Sequence, residues 1–258
     1  MNGKCPSPSC RDGNELPILE GMDTALYMVA TPIGNLADIT YRAVETLRSV
    51  DVIACEDTRH TQLLLNHYEI KKKLIACHAY NETESAKGIV SLLSGGSSVA
   101  YVSDAGTPGI SDPGARLVSA VREAGFTVFP IPGPSAVATL VSAAGFVGKA
   151  FTFEGFLSPK AGRRKKRLGE LLSRPEAFVI YESPFRVVKT LEEISSLDAE
   201  RAIVAGREMT KIHEEYLAGT AREVADDLSS RPAVKGEFAI LVRPKEEKEE
   251  SDDNPEET

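Results

Sequence analysis

The sequence predicts an α/β protein with two α/β domains and a ligand cleft between them, in which the N-terminal sheet is largely parallel and the C-terminal sheet is mixed. The first observation is that short apolar segments alternate with amphipathic helical segments, a pattern typical of parallel sheets covered on both faces. The second is the segment 130–136, PIPGPSA, whose prolines and glycine end a strand and reset the direction of the chain. We therefore expect one domain over residues 24–133 and another over 134–244.

The predicted N-terminal domain contains short apolar strands separated by polar turns and helices. Thr40 is expected to open the first amphipathic helix. A later helix is expected over 113–124, with Pro113 near its first turn and Gly125 just past its end. The strands are expected at 25–30, 51–55, 73–78, 98–103 and 126–131.

The predicted C-terminal domain keeps the α/β pattern with a different spacing. Two of its strands follow one another directly, so this sheet is expected to be mixed. Thr220 and Glu223 have the spacing of a capping box, which predicts a helix from that point through Leu228. The strands are expected at 151–156, 177–182, 202–209, 213–219 and 237–242.

The two ends of the chain differ from its body. Residues 1–23 are rich in proline, glycine, serine and asparagine, whereas residues 245–258 contain two lysines and eight acidic residues. We expect an N-terminal extension and an acidic tail that are both disordered. The tail carries −6 of the net charge of −8, so the acidic balance of the chain does not argue against a nucleic-acid partner.

Composition also disfavours several classes of protein. The hydrophobic share of 42% is that of a globular protein, and the lack of tryptophan argues against an extended single-strand binder built on aromatic stacking. The longest mostly apolar stretch, 135–147, is shorter than the roughly twenty residues of a membrane span, and no signal peptide is evident. The four cysteines lack metal-ligand spacing, so we expect reduced thiols in a cytoplasmic protein with no metal and no membrane partner.

Three predicted strands run into loops rich in glycine and proline: TPIGN (31–35), DAGTPGISDPG (104–114) and PGPSA (132–136). One such loop is most often a tight turn, but three at the strand ends where α/β sheets bind ligands indicate a binding site. No GxGxxG follows a strand, and neither the P-loop motif nor the GxSxG elbow occurs, so the usual nucleotide signatures give no support. Asp104 and the backbone near Gly106 suit polar groups such as an ammonium group or a ribose hydroxyl.

Six short motifs follow one another along the chain: VATPIGNLADIT, CEDTRHT, SDAGTPGISDPG, PIPGPSA, YESPFRV and REMTKIHEE. This ordered set resembles the tetrapyrrole methylase superfamily. Within it, the motifs are most similar to the branch that methylates the ribose 2′-hydroxyl of a cytidine in small-subunit (16S) ribosomal RNA. The resemblance covers about residues 25–243, and the two ends of the chain lie outside it.

The resemblance implies a methyltransferase that holds S-adenosylmethionine between its two domains, usually as a homodimer, with small-subunit ribosomal RNA or the assembled 30S subunit as its partner. Cofactor contacts are then expected from the three loops of the first domain and from segments of the second, including the strand after Gly236. The expected cofactor-binding residues are Pro32, Gly34, Asp104, Gly106, Thr107, Pro108, Ile110, Ser135, Ala136, Tyr181, Glu182, Ser183, Arg207, Glu208 and Met209.

A ribose hydroxyl is a poor nucleophile at neutral pH, so a nearby base should help to remove its proton. Glu56, Asp57, Arg59 and His60 follow directly on a predicted strand, at the same edge as the glycine-rich loops. Our hypothesis is that Glu56 or Asp57 activates the hydroxyl while Arg59 holds a phosphate. The alternative is a capped helix start, with Asp57 or Thr58 as the N-cap and Arg59 in a salt bridge.

A dense basic run favours phosphate contacts in a body that is otherwise slightly acidic. Its six cations are Lys160, Arg163, Arg164, Lys165, Lys166 and Arg167. A solvated helix face is the alternative for this run. For Glu182, Arg207 and Glu208, the alternative to a role in the cleft is that they pair with other charges at a domain interface.

Two competing functions remain open on the sequence alone. The first keeps the fold and the cofactor but methylates a small molecule such as a tetrapyrrole, whose carboxylates would also suit a basic segment. The second is a non-catalytic module that binds RNA or a nucleotide.

Overall fold

The computed structural model describes residues 22–77 and 82–244, which form two five-stranded sheets with helices packed on their faces. The strands are β1 (Leu26–Val29), β2 (Val52–Cys55), β3 (Lys73–Ala76), β4 (Val99–Val102), β5 (Val128–Ile131), β6 (Phe151–Phe156), β7 (Ala177–Glu182), β8 (Ala202–Arg207), β9 (Glu215–Thr220) and β10 (Phe238–Val242). The helices are α1 (Tyr41–Ser49), α2 (Thr58–His67), α3 (Glu82–Ser94), α4 (Ala115–Glu123), α5 (Ala136–Ala144), α6 (Ala161–Leu172), α7 (Val187–Leu197) and α8 (Ala221–Ser230). A short 3-10 helix, Leu36–Asp38, precedes α1.

The first sheet has the strand order β3-β2-β4-β1-β5, and each pair of neighbours is parallel. The second has the order β6-β7-β10-β8-β9 and is mixed. In it β6 and β7 pair in parallel, whereas β10 is antiparallel to β7 and β8, and β8 is antiparallel to β9. The predicted fold class, one parallel and one mixed α/β sheet, is therefore confirmed.

The apolar stripes of the helices explain how the two sheets are covered. The first sheet is sandwiched, with α1 residues such as Leu47 on one face and residues of α3 and α4 such as Ile89 and Leu117 on the other. The second sheet packs α6, α7 and α8 on one face. Its other face is covered by α5 through Leu140, which lies with Val179 and Leu241 in one core.

Helix α5 follows β5 directly but packs on the second sheet, so the chain changes sheets between 131 and 136. This places the start of α5 where the two sheets meet. The domain limits of 24–133 and 134–244 agree with this crossing and stay a prediction.

Local capping sets several helix starts. The side chains of Thr40 and Asp57 accept hydrogen bonds from the backbone N–H groups of Ala43 and Arg59. The predicted capping box at Thr220 and Glu223 is present in both directions. The helix expected from Pro113 begins only at Ala115, because Gly114 has φ 140°, a conformation that an α-helix cannot contain.

The predicted N-terminal extension lies outside the described residues except for Met22 and Asp23, and the acidic tail lies outside them completely. Met22 packs against the core of the first sheet. Within the described ranges, no helix is long and apolar enough to cross a membrane.

Thr220→Ala should lower the free energy of unfolding by about 1 kcal/mol, because the first turn of α8 loses the oxygen that accepts from the Glu223 N–H at 3.2 Å. Thr220→Ser keeps that oxygen and serves as the control. Urea denaturation of both variants measures the difference, and equal stability of Ala and Ser variants would contradict the role of the cap.

Candidate functional site

Three predicted loops meet at one edge of the first sheet, because β4, β1 and β5 are parallel neighbours. Backbone hydrogen bonds join Thr31 and Gly106 in both directions, at 2.9 and 3.0 Å. The Thr107 hydroxyl donates to the Pro134 carbonyl at 3.0 Å. The loops 31–35, 104–114 and 132–136 are thus tied into one wall.

Gly106 is a position in this wall where a side chain would be strained. Its φ is +76°, and a Cβ there would lie 3.3 Å from Ile33 Cγ2 and 3.7 Å from the Pro134 carbonyl oxygen. Glycine adopts positive φ without the steric cost that other residues carry. The wall is therefore compact, and its backbone can approach a ligand closely.

A cavity of about 320 Å³ lies between this wall and the ends of β6, β7, β8 and β10 in the second sheet. Its volume falls in the range of roughly 300–1,000 Å³ that small-molecule sites occupy. A second groove of about 530 Å³ lies along Pro108 and Gly114, and Arg122 is the sole charged side chain among the described residues that line it. The first cavity is the better candidate site, because it joins both sheets and contains several titratable groups.

The cavity brings together ten of the fifteen residues predicted to bind a cofactor. They are Gly106, Thr107, Ile110, Ser135, Ala136, Tyr181, Glu182, Ser183, Glu208 and Met209. These residues come from both sheets, as the resemblance implies. Their contact with a cofactor stays a prediction.

The other five lie near the cavity without lining it, and the structure gives most of them another contact. Asp104 Oδ1 accepts from the Asp57 N–H at 3.1 Å. A Cβ on Gly34 would lie 2.4 Å from Lys211 Cγ, so this glycine allows the wall to touch the loop after β8.

Arg207 donates to Glu215 at 3.0 Å and to the Lys235 carbonyl at 2.6 Å. Pro108 lines the second groove, and Pro32 is buried beneath the wall.

The charged residues predicted for the second domain do form ion pairs. Glu182 is 1% exposed, accepts from Thr190 Oγ1 at 2.9 Å and lies 2.7 Å from the Arg186 guanidinium. Glu208 Oε1 accepts from Lys211 Nζ at 2.9 Å. Both pairs join residues three or four positions apart in the second half of the chain, so they are local and do not cross between the predicted domains. Glu182 and Glu208 also line the cavity.

The sequence interpretation missed Asp112, which lies in the cavity wall at the end of the 104–114 loop. Desolvation raises the pKa of this carboxyl above its ordinary value, and the charges of Asp104 and Glu237 act in the same direction. A hydrogen bond with Ser103 opposes them. The signal was available, because an aspartate in a loop already predicted to bind a ligand is a natural candidate.

Tyr181 connects the start of α5 to the second sheet. Burial raises the pKa of its phenol to about 12, and the phenol forms a hydrogen bond with the backbone of Val137. The ring packs edge-on against Phe153, with centroids 4.9 Å apart. Tyr181 therefore stays neutral at physiological pH and forms a rigid part of the cavity floor.

The segment 56–60 lies at the carboxyl end of β2, next to β4 in the sheet. Asp57 is the N-cap of α2, and its Oδ1 accepts from the Arg59 N–H at 2.8 Å. Its own N–H is held by Asp104, so the segment is anchored to the cavity wall. The capping alternative is realised at Asp57. Glu56, Asp57 and Arg59 do not line the cavity, and their proposed chemistry stays a hypothesis.

The basic run divides into two sets on α6. Lys160, Arg163, Lys165 and Lys166 are exposed. Arg164 is 2% exposed and holds Glu193 with two hydrogen bonds of 2.7 and 2.6 Å. The prediction that Arg164 contacts RNA is therefore corrected, since its guanidinium is enclosed in the protein. The periodicity could have revealed this, because Arg164 lies one turn before Leu168 on the buried face of the helix.

Arg167 is also committed within the protein, although it remains partly exposed. It pairs with Glu154 at 2.7 Å and with Glu170 at 2.9 Å. Any contact of Arg167 with a phosphate would compete with these two carboxylates, which leaves the four exposed cations as the stronger candidates for RNA binding.

The chain belongs to the tetrapyrrole (corrin/porphyrin) methylases, because the model of that family matches residues 25–225. It is similar to a protein of Borrelia garinii subsp. bavariensis named Ribosomal RNA small subunit methyltransferase I, at 52% identity over 84% of this chain and 97% of that protein. A protein of Haemophilus influenzae with the same name is 48% identical over 90% of this chain and 81% of its own length.

Solved structures share this fold. A uroporphyrin-III C-methyl transferase from Thermus thermophilus, complexed with S-adenosyl homocysteine, has a TM-score of 0.61 and 16% identity to this chain. The match covers 84% of this chain and 96% of that one. At this level of identity the likeness establishes the fold alone.

Arg164→Ala should lower the free energy of unfolding by about 3–5 kcal/mol, because it leaves the largely buried Glu193 carboxylate without a partner. Arg163→Ala, at the exposed neighbouring position, should change it by less than about 0.5 kcal/mol. Thermal and urea denaturation measure both. Equal stability of the two variants would contradict the buried ion pair.

Proposed function

We propose that the protein transfers a methyl group from S-adenosylmethionine to the ribose 2′-hydroxyl of a cytidine in small-subunit ribosomal RNA. The observation that carries this is the cavity between the two sheets, lined by the wall at Gly106 and by the strand ends at Tyr181 and Glu208. Membership of a methylase family and about 50% identity to proteins named as small-subunit ribosomal RNA methyltransferases support the reaction and the substrate class.

The charged side chains of the cavity fit S-adenosylmethionine. Glu208 and Glu237 present carboxylates, and Lys211 presents a cation. A ligand with a sulfonium, an ammonium group and a carboxylate matches such a mixed but mainly acidic lining. The positive φ of Gly106 and the absence of a side chain there allow the wall to lie flat against a ligand. When bound, the cofactor supplies an electrophilic methyl group on sulfur.

The protein's own contribution is to position the ribose hydroxyl and to accept its proton. Asp112 is the best-placed acceptor, because it lines the cavity and its pKa is raised toward the range useful for a base. Glu56 and Asp57 lie at the neighbouring strand end and are the acceptors that the sequence suggests. Arg59 is exposed beside them and is proposed to hold a phosphate of the RNA.

The exposed cations Lys160, Arg163, Lys165 and Lys166 extend from the end of β6, the strand that borders the cavity. We assign the RNA backbone to this surface. Its phosphates release their counterions when they bind the lysines and arginine there. A tetrapyrrole is a poorer substrate for this cavity, since its carboxylates would have to lie among Asp112, Glu208 and Glu237.

The direct test is transfer of labelled methyl from S-adenosylmethionine to isolated small ribosomal subunits and to free small-subunit RNA that lack the modification. We expect one labelled cytidine whose 3′ phosphodiester resists alkaline cleavage, as a 2′-O-methyl group requires. Label on a base, or label only on a tetrapyrrole, would contradict the proposal. Isothermal titration with S-adenosylmethionine excludes a module that binds RNA alone if heat is observed.

Asp112→Asn should lower kcat by about 10²- to 10⁴-fold while S-adenosylmethionine affinity changes little, because the hydroxyl loses its proton acceptor. In the parent protein, kcat should fall as pH drops through a pKa above 3.8, since the raised pKa keeps Asp112 protonated to higher pH. The pH profile of Asp112→Asn should lack this fall of kcat at acidic pH, which is the acidic limb of the profile.

Glu56→Gln and Asp57→Asn are the matched comparison and should also lower turnover more than cofactor affinity. Unchanged turnover in both would exclude the segment 56–60 from the chemistry, and an acidic limb that persists in Asp112→Asn would exclude Asp112 as the base.

A triple variant, Lys160→Gln with Arg163→Gln and Lys165→Gln, should bind RNA more weakly. The slope of log K against log[salt] should fall in magnitude by about 2, because roughly 0.7–0.9 counterions are released per phosphate contact. Lys71, Arg122 and Arg222 are exposed elsewhere on the protein, and their triple Gln variant is the charge-matched control. Filter binding across a salt series measures both, and parallel slopes for the two variants would reject this surface.

A further inference from the structure

Two phenylalanines are exposed at the rim of the cavity, where apolar rings are costly to leave in water. Phe156, at the end of β6, is 59% exposed and lines the cavity. Phe185 is 95% exposed and directly follows Ser183 and Pro184, which also line it. Isolated exposed side chains of this kind are ordinary, but two beside one ligand cavity need a reason.

Phe156 is supported from inside the protein while its outer surface stays open. Its ring packs edge-on against Tyr181, with centroids 5.7 Å apart and planes at 66°. Tyr181 is in turn fixed by Phe153. The ring of Phe156 is therefore supported on its inner side by Tyr181.

The loop that carries Phe185 is fixed to the same strand end. The Arg186 guanidinium donates to Glu182 and to the Leu157 carbonyl at 3.4 Å, and the Arg186 N–H donates to the Ser183 carbonyl at 3.1 Å. Since Leu157 follows Phe156, these bonds tie the loop after β7 to the loop after β6. The two rings thus belong to one fixed rim.

The rim adjoins the basic surface. Lys160 and Arg163 lie four and seven residues after Phe156, at the start of α6, and both are exposed. An RNA strand whose phosphates contact these cations would bring its nearest nucleotide to the rim. Aromatic rings beside a cationic track are the combination that binds unpaired nucleotides.

We propose that Phe156 and Phe185 form a platform on which the base of the target nucleotide stacks while its ribose enters the cavity. This inference rests on the proposed function. A ribose inside a cavity of about 320 Å³ cannot remain in a stacked helix, so the nucleotide must be turned out of its strand. Turning it out breaks the stacking of its base, and an aromatic platform offsets that loss. One nucleotide needs only one or two rings, so the low aromatic content of the chain is sufficient.

The chain contains no tryptophan, which allows a direct test by fluorescence. Phe156→Trp and Phe185→Trp each introduce a single reporter. We expect a short single-stranded RNA containing the target cytidine to quench both reporters, and the same RNA with an abasic target residue to quench them much less. Tyr216→Trp on β9, at the opposite edge of the second sheet, is the control that neither RNA should quench differently. Equal quenching by the two RNAs at positions 156 and 185 would overturn the platform.

Activity separates this proposal from the proposed function. Phe156→Ala should lower kcat/KM for the RNA by between about 5-fold and about 150-fold, and Phe156→Tyr should restore it, while S-adenosylmethionine affinity by titration stays within about twofold. A parallel loss of cofactor affinity would overturn the proposal, because the ring would then be covering the cofactor.

A parent protein that methylates the RNA, together with reporters that show no base-dependent quenching at either position, refutes the platform alone. A parent that methylates no RNA refutes the proposed function, and the fluorescence result still decides whether a base stacks on the rim.

Discussion

The parallel pairing of β2, β4, β1 and β5 is the constraint on which the cavity depends. Parallel strands bring their carboxyl ends to the same edge, so loops that are up to about a hundred residues apart in sequence become neighbours. Backbone bonds between Thr31 and Gly106, and the bond from Thr107 to Pro134, then convert this proximity into a fixed wall. The wall needs no large side chains, because its contacts are made by the main chain and by one threonine hydroxyl.

The second sheet completes the cavity and introduces charge into it. Helix α5 leaves β5 and packs on that sheet, which brings the wall against Tyr181, Glu182 and Glu208. Burying acidic groups there opposes stability, and the ion pair of Glu182 with Arg186 offsets part of that cost. Asp112 remains with a raised pKa. A carboxyl group held in an unfavourable environment within a cavity is typical of functional sites, where reactivity matters more than stability.

Much of this arrangement could be predicted from the sequence, because strands and glycine-rich loops leave local signals. β6 and β7 have the predicted bounds, and both sheets have the predicted character. Tertiary contacts were harder to foresee. Arg164 belongs to a basic run in the sequence, but the buried face of α6 and Glu193 enclose it. Phe156 and Lys211 reach the cavity only because of the packing of one sheet against the other, which no local pattern records.

A crystal structure of the protein with S-adenosyl homocysteine tests directly whether the cavity between the two sheets holds the cofactor. We predict that the ligand lies between Gly106 and Tyr181, in contact with both sheets. A ligand bound in the groove along Pro108 and Gly114, on the first sheet alone, would contradict it.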